Sequence, residues 1–178
     1  MSKIVPNGDF TDEKVQHFEK TVRKSFEFLE KEFGMYKGNA RILNRKDPRE
    51  ITVVIRYKSE DYQIDIGWGI SEKAIGILIW NKHCHTSSSI DKKIYIYFEP
   101  FIEFLTNGKD KPIIPQIYPK MSVKKIAAIM DERKQLFELP LCEIIDKLAE
   151  KLKLYYEKII TLDCNLFLEF QHWFNQHQ

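Results

Sequence analysis

Four apolar runs between residues 50 and 98 constrain the fold of this chain more than any other feature of its sequence. The runs are Glu50–Tyr57, Tyr62–Ile66, Ala74–Trp80 and Ile94–Phe98, and the second alternates apolar with polar residues as a half-buried strand does. The connections between them are too short to hold crossover helices, so consecutive strands run antiparallel. The sequence therefore predicts an antiparallel meander of three or four strands, with Ala40–Leu43 as a further short strand.

The residues before this sheet predict one amphipathic helix from Thr11 to Gly34. Thr11 and Asp12 can accept hydrogen bonds from the N–H groups of the first turn, and Gly34 suits a left-handed C-terminal cap. The apolar residues step by three or four and so share one helix face. They are Val15, Phe18, Val22, Phe26, Leu29 and Phe33.

Helical patterns replace the strand pattern after Glu99. A short helix is expected from Pro100 to Leu105, and Asn107-Gly108 ends it. Ser122 is a suitable N-cap for a second helix that runs to about Phe137. Its inward-facing residues are predicted to be Val123, Ile126, Ile129 and Met130.

The last helical region begins at Pro140 and carries a heptad-like apolar seam. The seam consists of Ile145, Leu148, Leu152, Tyr155, Ile159, Leu162 and Leu166. Neither Gly nor Pro interrupts Leu141–Gln178, which allows a single helix of about 55 Å at 1.5 Å per residue. The alternative is a break at Thr161–Asn165, where Asp and Asn side chains compete for the backbone.

This order of elements predicts an α+β fold, with helices packed on one face of an antiparallel sheet. At 178 residues the chain fits a single domain over residues 1–178. Within it we expect a helix over 11–34, the sheet over 50–98 and a helical part over 99–178.

Aromatic residues are unusually dense near the end of the chain, where Phe167, Phe170, Trp173 and Phe174 do not fit on one narrow helix face. Either they fill the core of the same molecule, or they form a contact with a partner or with a second copy of this chain. Aromatic side chains are typical anchors of protein interfaces. The three tryptophans, Trp68, Trp80 and Trp173, are therefore the candidate partner-binding residues.

One short cluster carries metal-ligand chemistry, namely His83, Cys84 and His85, in a predicted polar loop from Asn81 to Lys93. Imidazole and thiolate suit zinc, nickel or copper, and residues two apart on a strand point the same way. A closed site needs further ligands, and no spacing supplies them. The alternative interpretation is a solvated turn that happens to contain histidines.

The formal net charge of +2 does not itself indicate a nucleic-acid partner, yet basic residues concentrate in two segments. The candidate anion-binding residues in these segments are Arg41, Arg45, Lys46, Lys124 and Lys125. Together with nearby tyrosines they could contact phosphates and bases. The alternative is a set of solvated loop charges, and no known nucleic-acid-binding motif is present.

No catalytic motif stands out, and no cofactor is expected. Phosphate-binding glycine loops are absent from the sequence. Four carboxylates, Asp61, Asp65, Glu99 and Glu103, could do acid–base work or hold a cation only if the fold brought a pair together in a buried place. The simpler interpretation places them on solvated faces.

The cysteines give one indication of location. Cys84, Cys142 and Cys164 are odd in number, and their spacing matches no disulfide framework. No apolar leader or membrane-length segment is visible, so a reduced, cytoplasmic setting is expected and no membrane partner.

The phrase from Phe26 to Met35, with the pattern F-x-F-L-x-x-E-F-G-M, resembles the opening of many small bacterial proteins. In those proteins a helix ends in this phrase and leads to a strand like Ile51–Ser59. Several of them are similar to immunity proteins encoded beside polymorphic toxins. The resemblance covers roughly the first 80 residues, and it implies no catalytic residues.

These observations favour a non-enzymatic bacterial protein that binds another protein, as an immunity-type inhibitor of a toxin would. Two alternatives remain open from the sequence. One is a metal-binding protein or metal-dependent enzyme that uses His83, Cys84 and His85. The other is a nucleic-acid-binding module that uses the basic loops.

Overall fold

The computed structural model describes residues 12–44, 51–69, 74–85, 93–118 and 120–177. Within them lie six helices and one antiparallel sheet of six strands, which confirms the predicted α+β fold. The helices are α1 Asp12–Ser25, α2 Phe28–Lys31, α3 Phe98–Leu105, α4 Val123–Leu136, α5 Leu141–Ile160 and α6 Cys164–His177. The strands are β1 Tyr36–Lys37, β2 Arg41–Asn44, β3 Ile51–Lys58, β4 Tyr62–Gly69, β5 Ala74–His85 and β6 Lys93–Tyr97.

The sheet follows the predicted meander, with β3, β4, β5 and β6 side by side. The two short strands, β1 and β2, both pair with the edge of β3 that lies away from β4. β1 pairs near the end of β3, and β2 pairs near its beginning. Because strand residues alternate between faces, each strand gives one set of side chains to an inner face and the other set to an outer face.

The inner face of the sheet packs against α1, α3 and α6, and α5 packs against α1. Its strand residues are almost fully buried and mostly β-branched, which suits a pleated surface inside a core. They include Val53, Ile55, Ile64, Ile66, Ile75, Ile77, Ile79 and Ile96. The aromatic residues Phe18, Phe26, Phe98, Phe101, Phe167 and Phe170 complete this core with no exposed surface.

The N-terminal helix is interrupted, whereas the sequence predicted one continuous helix to Gly34. α1 ends at Ser25, whose hydroxyl donates to the Thr21 carbonyl oxygen at 3.0 Å and to Asp146 of α5. Such side-chain bonds to the preceding turn bend helices, which accounts for the short turn before α2. The apolar face survives the turn, and Gly34 has the predicted left-handed conformation with a φ of 62°. The predicted N-cap side chains of Thr11 and Asp12 lie outside the described residues.

Strand β5 continues to His85, so the predicted polar loop at Asn81 begins too early. Asn81 is buried, and its amide nitrogen donates to the Tyr62 hydroxyl at 3.1 Å while its side-chain oxygen accepts from the His83 N–H at 2.9 Å. These bonds satisfy a polar side chain inside the sheet, which composition alone could not show.

Helix α4 begins as predicted, since the Ser122 hydroxyl accepts from the Lys125 N–H at 3.3 Å. Its predicted inward face is wrong in two of four positions: Val123 is 83% exposed and Met130 is 52% exposed, whereas Ile129 is buried. α4 therefore touches the rest of the molecule along a narrow line only.

The last helical region is broken, and α5 ends before α6 begins at Cys164. Thr161 donates to the Glu157 carbonyl oxygen at 3.1 Å, and Asp163 accepts from the Leu166 N–H at 3.0 Å as an N-cap. The seam residues Ile145, Leu148, Leu152 and Ile159 are buried in the core of this chain. No described helix is long and apolar enough to cross a membrane.

A disulfide joins Cys84 at the end of β5 to Cys164 at the start of α6, with the two Cα atoms 5.3 Å apart. The expectation that the cysteines form no disulfide is therefore wrong. The two residues are 80 positions apart, and only the packing of α6 against β5 and β6 brings them together. The free cysteine, Cys142, is exposed.

Candidate functional site

The outer face of the sheet carries a groove of about 460 Å³, here called the sheet groove. Gly67 and Gly76 lie directly opposite each other on β4 and β5 and form its floor. A Cβ at position 76 would meet nothing within 4 Å, so the missing side chains create the depth. Its lining also includes Trp80 and Tyr97 of the sheet, and Ile114, Gln116 and Arg133 from later in the chain.

An ion pair between neighbouring strands lines the same groove. Arg56 on β3 and Asp65 on β4 are register partners, and the guanidinium donates to the two carboxylate oxygens at 2.7 and 2.6 Å. The Gln63 amide donates to both oxygens at 3.2 Å. The hydrogen bond that Arg56 donates to Asp65 raises the pKa of Arg56, so this arginine keeps its charge. Asp65 is thus committed to its neighbours and is not a base for chemistry.

A continuous aromatic band leads from the sheet groove around the edge of the sheet. Ring centroids are 4.9 Å apart between Trp80 and Tyr95, 5.7 Å between Tyr95 and Tyr97, and 5.5 Å between Tyr97 and Phe174. The band then reaches Tyr118 and Trp173. Tyr95 and Tyr97 are 36% and 40% exposed, so the middle of the band is open to solvent.

The aromatic band ends at a larger cavity of about 760 Å³ beside α3 and α6. Trp173, Phe104 and Tyr118 line it, with Lys120 and Lys125 at its margin. The Tyr118 hydroxyl donates to Glu103 at 2.9 Å, and burial raises the pKa of Tyr118 with a further contribution from this bond. Lys120 donates to the carbonyl oxygen of Gln176 at 3.0 Å.

A buried carboxylate holds the wall of the sheet groove in place. Glu99 accepts from the N–H groups of Ile113 and Ile114 at 2.5 and 3.1 Å, and it is 6% exposed. Burial raises the pKa of Glu99 to about 6, against the opposing effect of these two bonds. Lys151 supports the same segment by donating to the Lys111 carbonyl oxygen at 2.6 Å.

The three tryptophans do not share one surface. Trp68 packs against Phe18 on the inner side, with ring centroids 5.3 Å apart. Trp80 lines the sheet groove, and its indole N–H is buried without an acceptor among the described residues. Trp173 stacks on Phe170, which is fully buried, at 5.9 Å. Trp80 and Trp173 are connected through the aromatic band, whereas Trp68 belongs to the core.

The proposed metal cluster loses its thiolate in this structure, because Cys84 is bonded to Cys164. His83 pairs with Asp61, with Nε2 and Oδ1 2.6 Å apart on an exposed surface. The side chain of His85 lies outside the described residues. Within the described part of the chain no group of three or more His, Cys, Asp or Glu could hold a metal ion.

The basic candidates lie on different elements. Arg41 is exposed on β2, while Lys124 and Lys125 are exposed in the first turn of α4. Arg45 and Lys46 lie outside the described residues. The four candidate carboxylates each bond to a different partner; they are Asp61, Asp65, Glu99 and Glu103.

Sequence reasoning missed Arg56, Tyr95, Tyr97 and Arg133 as members of this surface. The alternation of Ile94, Tyr95, Ile96 and Tyr97 was the available signal, since it puts both tyrosines on the face opposite Ile96. Arg133 gave no signal, because only the tertiary fold brings it to the sheet groove.

Comparison of the chain with protein-family models, with curated proteins and with solved structures finds no match.

Proposed function

We propose that this chain is a non-enzymatic bacterial protein that binds another protein through the aromatic band and the sheet groove. One observation carries the proposal, namely the row of half-buried Trp80 and exposed Tyr95 and Tyr97 on the outer face of the sheet, beside the two arginines of the sheet groove. Trp, Tyr and Arg dominate the residues that contribute most to protein interfaces. A face with this composition is suited to a protein partner.

The same face has little that would serve catalysis. Asp65 is held by Arg56 and Gln63, and Glu99 accepts two backbone hydrogen bonds. A general acid or base needs a lone pair or proton directed at substrate, and these carboxylates direct theirs at the protein itself. The surface therefore favours binding over chemistry.

We infer further that the partner is a bacterial toxin and that this chain inhibits it by occlusion. The resemblance of Phe26–Met35 to immunity proteins supports this part of the proposal. Steric occlusion needs a rigid face, and the outer face lies on four paired strands of the sheet. Its charge would set the association rate and the choice of partner.

Site-specific photocrosslinking in the host tests the proposal. p-Benzoylphenylalanine at position 95, in the middle of the aromatic band, is expected to capture one protein in stoichiometric amount. The matched control is the same probe at position 154, since Leu154 is 75% exposed on α5 and lies outside the band. Mass spectrometry then identifies the captured chain.

Capture and growth assays together decide the proposal. Capture at position 95 but not at position 154, lost when Tyr97 is changed to alanine, supports a binding face. Growth inhibition by the captured protein, relieved by co-expression of this chain, supports the inhibitor function. Equal capture at both positions, or none at position 95, contradicts the proposal.

A further inference from the structure

We propose that the cavity beside α3 and α6, here called the α3–α6 cavity, binds a small organic anion with a flat apolar body. The apolar body lies against Phe104 and Trp173, and the anionic group pairs with Lys120 and Lys125 at the margin. This ligand is independent of the partner protein proposed above. The evidence for it lies in the walls of the cavity, in the donors at its margin and in the balance of charge.

The size and the walls of the α3–α6 cavity suit a small molecule. Its volume of about 760 Å³ lies within the range of sites that enclose small ligands. Three aromatic residues line it together, since the Trp173 ring centroid is 5.6 Å from that of Phe104 and 6.3 Å from that of Tyr118. All three are half-buried and so keep accessible surface. A flat apolar group that covers these rings removes apolar surface from water.

Two ammonium groups at the margin of the cavity have donors to spare. The Lys125 ammonium has no hydrogen-bond or ion-pair partner among the described residues. The Lys120 ammonium donates to the Gln176 carbonyl oxygen at 3.0 Å, which leaves two of its three N–H groups. Both lysines are exposed, so an occupant of the cavity can reach these donors. An anionic oxygen is the acceptor that bonds most strongly to an ammonium group.

The balance of charge around the α3–α6 cavity favours an anion over a cation. Among the described residues that line it, two lysines stand against one glutamate, Glu103. The Glu103 carboxylate accepts from the Tyr118 hydroxyl at 2.9 Å, which holds it beside the aromatic wall. A cationic ligand meets two ammonium groups of like charge, whereas an anion pairs with both. The aromatic wall and the excess positive charge together match an aromatic anion.

Matched naphthalene probes test the proposal on the full, disulfide-bonded chain. 2-Naphthoate carries the ring and the charge, 2-naphthamide carries the ring alone, and acetate carries the charge alone. NMR titration follows the indole N–H signals of the tryptophans. We expect 2-naphthoate to bind with a Kd of about 1 mM or tighter, about fivefold more tightly than 2-naphthamide, and acetate to cause no shift. The Trp173 signal should move, whereas those of Trp68 and Trp80, which do not line this cavity, should not.

A pair of lysine variants locates the charge that the anion contacts. Lys125→Met removes the ammonium group and should weaken 2-naphthoate binding about threefold, the scale of one exposed ion pair. The affinity for 2-naphthamide should not change, and this result shows that the cavity of the variant is intact. Lys124→Met is the matched control and should change neither affinity, because Lys124 is exposed in the same turn of α4 but does not line the cavity.

Equal affinities for 2-naphthoate and 2-naphthamide would overturn the inference, and so would a shift of the Trp80 signal in place of that of Trp173. Equal losses for Lys125→Met and Lys124→Met would also overturn it, since the effect would then be one of general charge. A 2-naphthoate Kd far weaker than about 1 mM would reduce the contact to binding at probe concentration only. Photocrosslinking at position 95 tests the protein partner separately, so either proposal can fail while the other stands.

Discussion

The two faces of one sheet are built from the same strands, yet they differ in almost every property. On the inner face of β3, β4 and β5 most residues are valine, isoleucine or tyrosine with little or no exposure. On the outer face the same strands present Arg56, Asp65, Gly67, Gly76 and Trp80. A core requires only one apolar face, so folding does not explain the outer set. The difference indicates that the inner face carries stability, whereas the outer face holds the groove and the aromatic band on which the proposed function depends.

The largest loss of stability is expected on the inner side, for Phe101→Ala. Phe101 has no exposed surface, and its ring lies 5.1 Å from Phe170 and 5.6 Å from Phe167. Removing a buried phenylalanine leaves a cavity and costs about 3–5 kcal/mol of unfolding free energy. Urea unfolding of the variant and the wild type measures this loss of unfolding free energy. Tyr97→Ala on the outer face is the comparison, and a loss as large as that of Phe101→Ala would contradict the division between the faces.

The disulfide should contribute slightly less to the free energy of unfolding than the Phe101 side chain does. Replacing Cys84 and Cys164 by serine opens a loop of 80 residues and should lower the unfolding free energy by about 2–4 kcal/mol. The effect comes mainly from the larger entropy of the unfolded chain. Cys142→Ser is the control, because Cys142 is exposed and unpaired. If the double variant unfolds at the same urea concentration as this control, the disulfide does not restrain the chain.

Glu99 joins α3 to the segment that lines the sheet groove. Its titration should be visible in the pH dependence of the free energy of unfolding. Its pKa is raised to about 6, so the protonated form is favoured in the folded state. The stabilisation of the folded state by protonated Glu99 is complete below the unfolded pKa of 4.5 and is lost as the pH rises through about 6. The free energy of unfolding should therefore fall by about 2 kcal/mol across this range. The difference between the wild type and Glu99→Gln, measured by urea unfolding at pH 4 and pH 7, isolates it. A pH-independent difference would show that Glu99 does not titrate this way.

The smallest effect is expected on the groove floor. Gly76→Val adds a β-branched side chain to a strand at a place with no neighbour within 4 Å. Relief of glycine's backbone entropy and higher strand propensity should raise stability by up to about 1 kcal/mol. Thermal unfolding measures the shift. Destabilisation by more than this amount would mean that the floor is part of the folding core and not a free surface.

The inner face could be predicted from sequence far better than the outer face. The alternation in Tyr62–Ile66 and the spacing of Phe18, Val22 and Leu29 identified buried positions, because local periodicity reports which side faces a core. The strand order followed from the short connections. Both kinds of information are local in the chain.

The outer site depends on contacts between distant parts of the chain. Arg133 lines the sheet groove only because the fold brings α4 beside it, and the 109–118 segment is held by Glu99 and Lys151. Cys84 and Cys164 pair across 80 positions, so their spacing gave no warning. The polar stretch at Asn81 misled the strand prediction, since its hydrogen bonds to Tyr62 and His83 arise only in the folded sheet.

The bond between Cys84 and Cys164 also ties two stretches of polypeptide into a closed ring. The ring contains β6, α3, α4 and α5, together with the proline-containing segment beside the groove. A protease that cuts once inside this ring yields two pieces that remain one molecule until a reductant separates them. The chain can thus acquire a new pair of ends next to the sheet groove without falling apart.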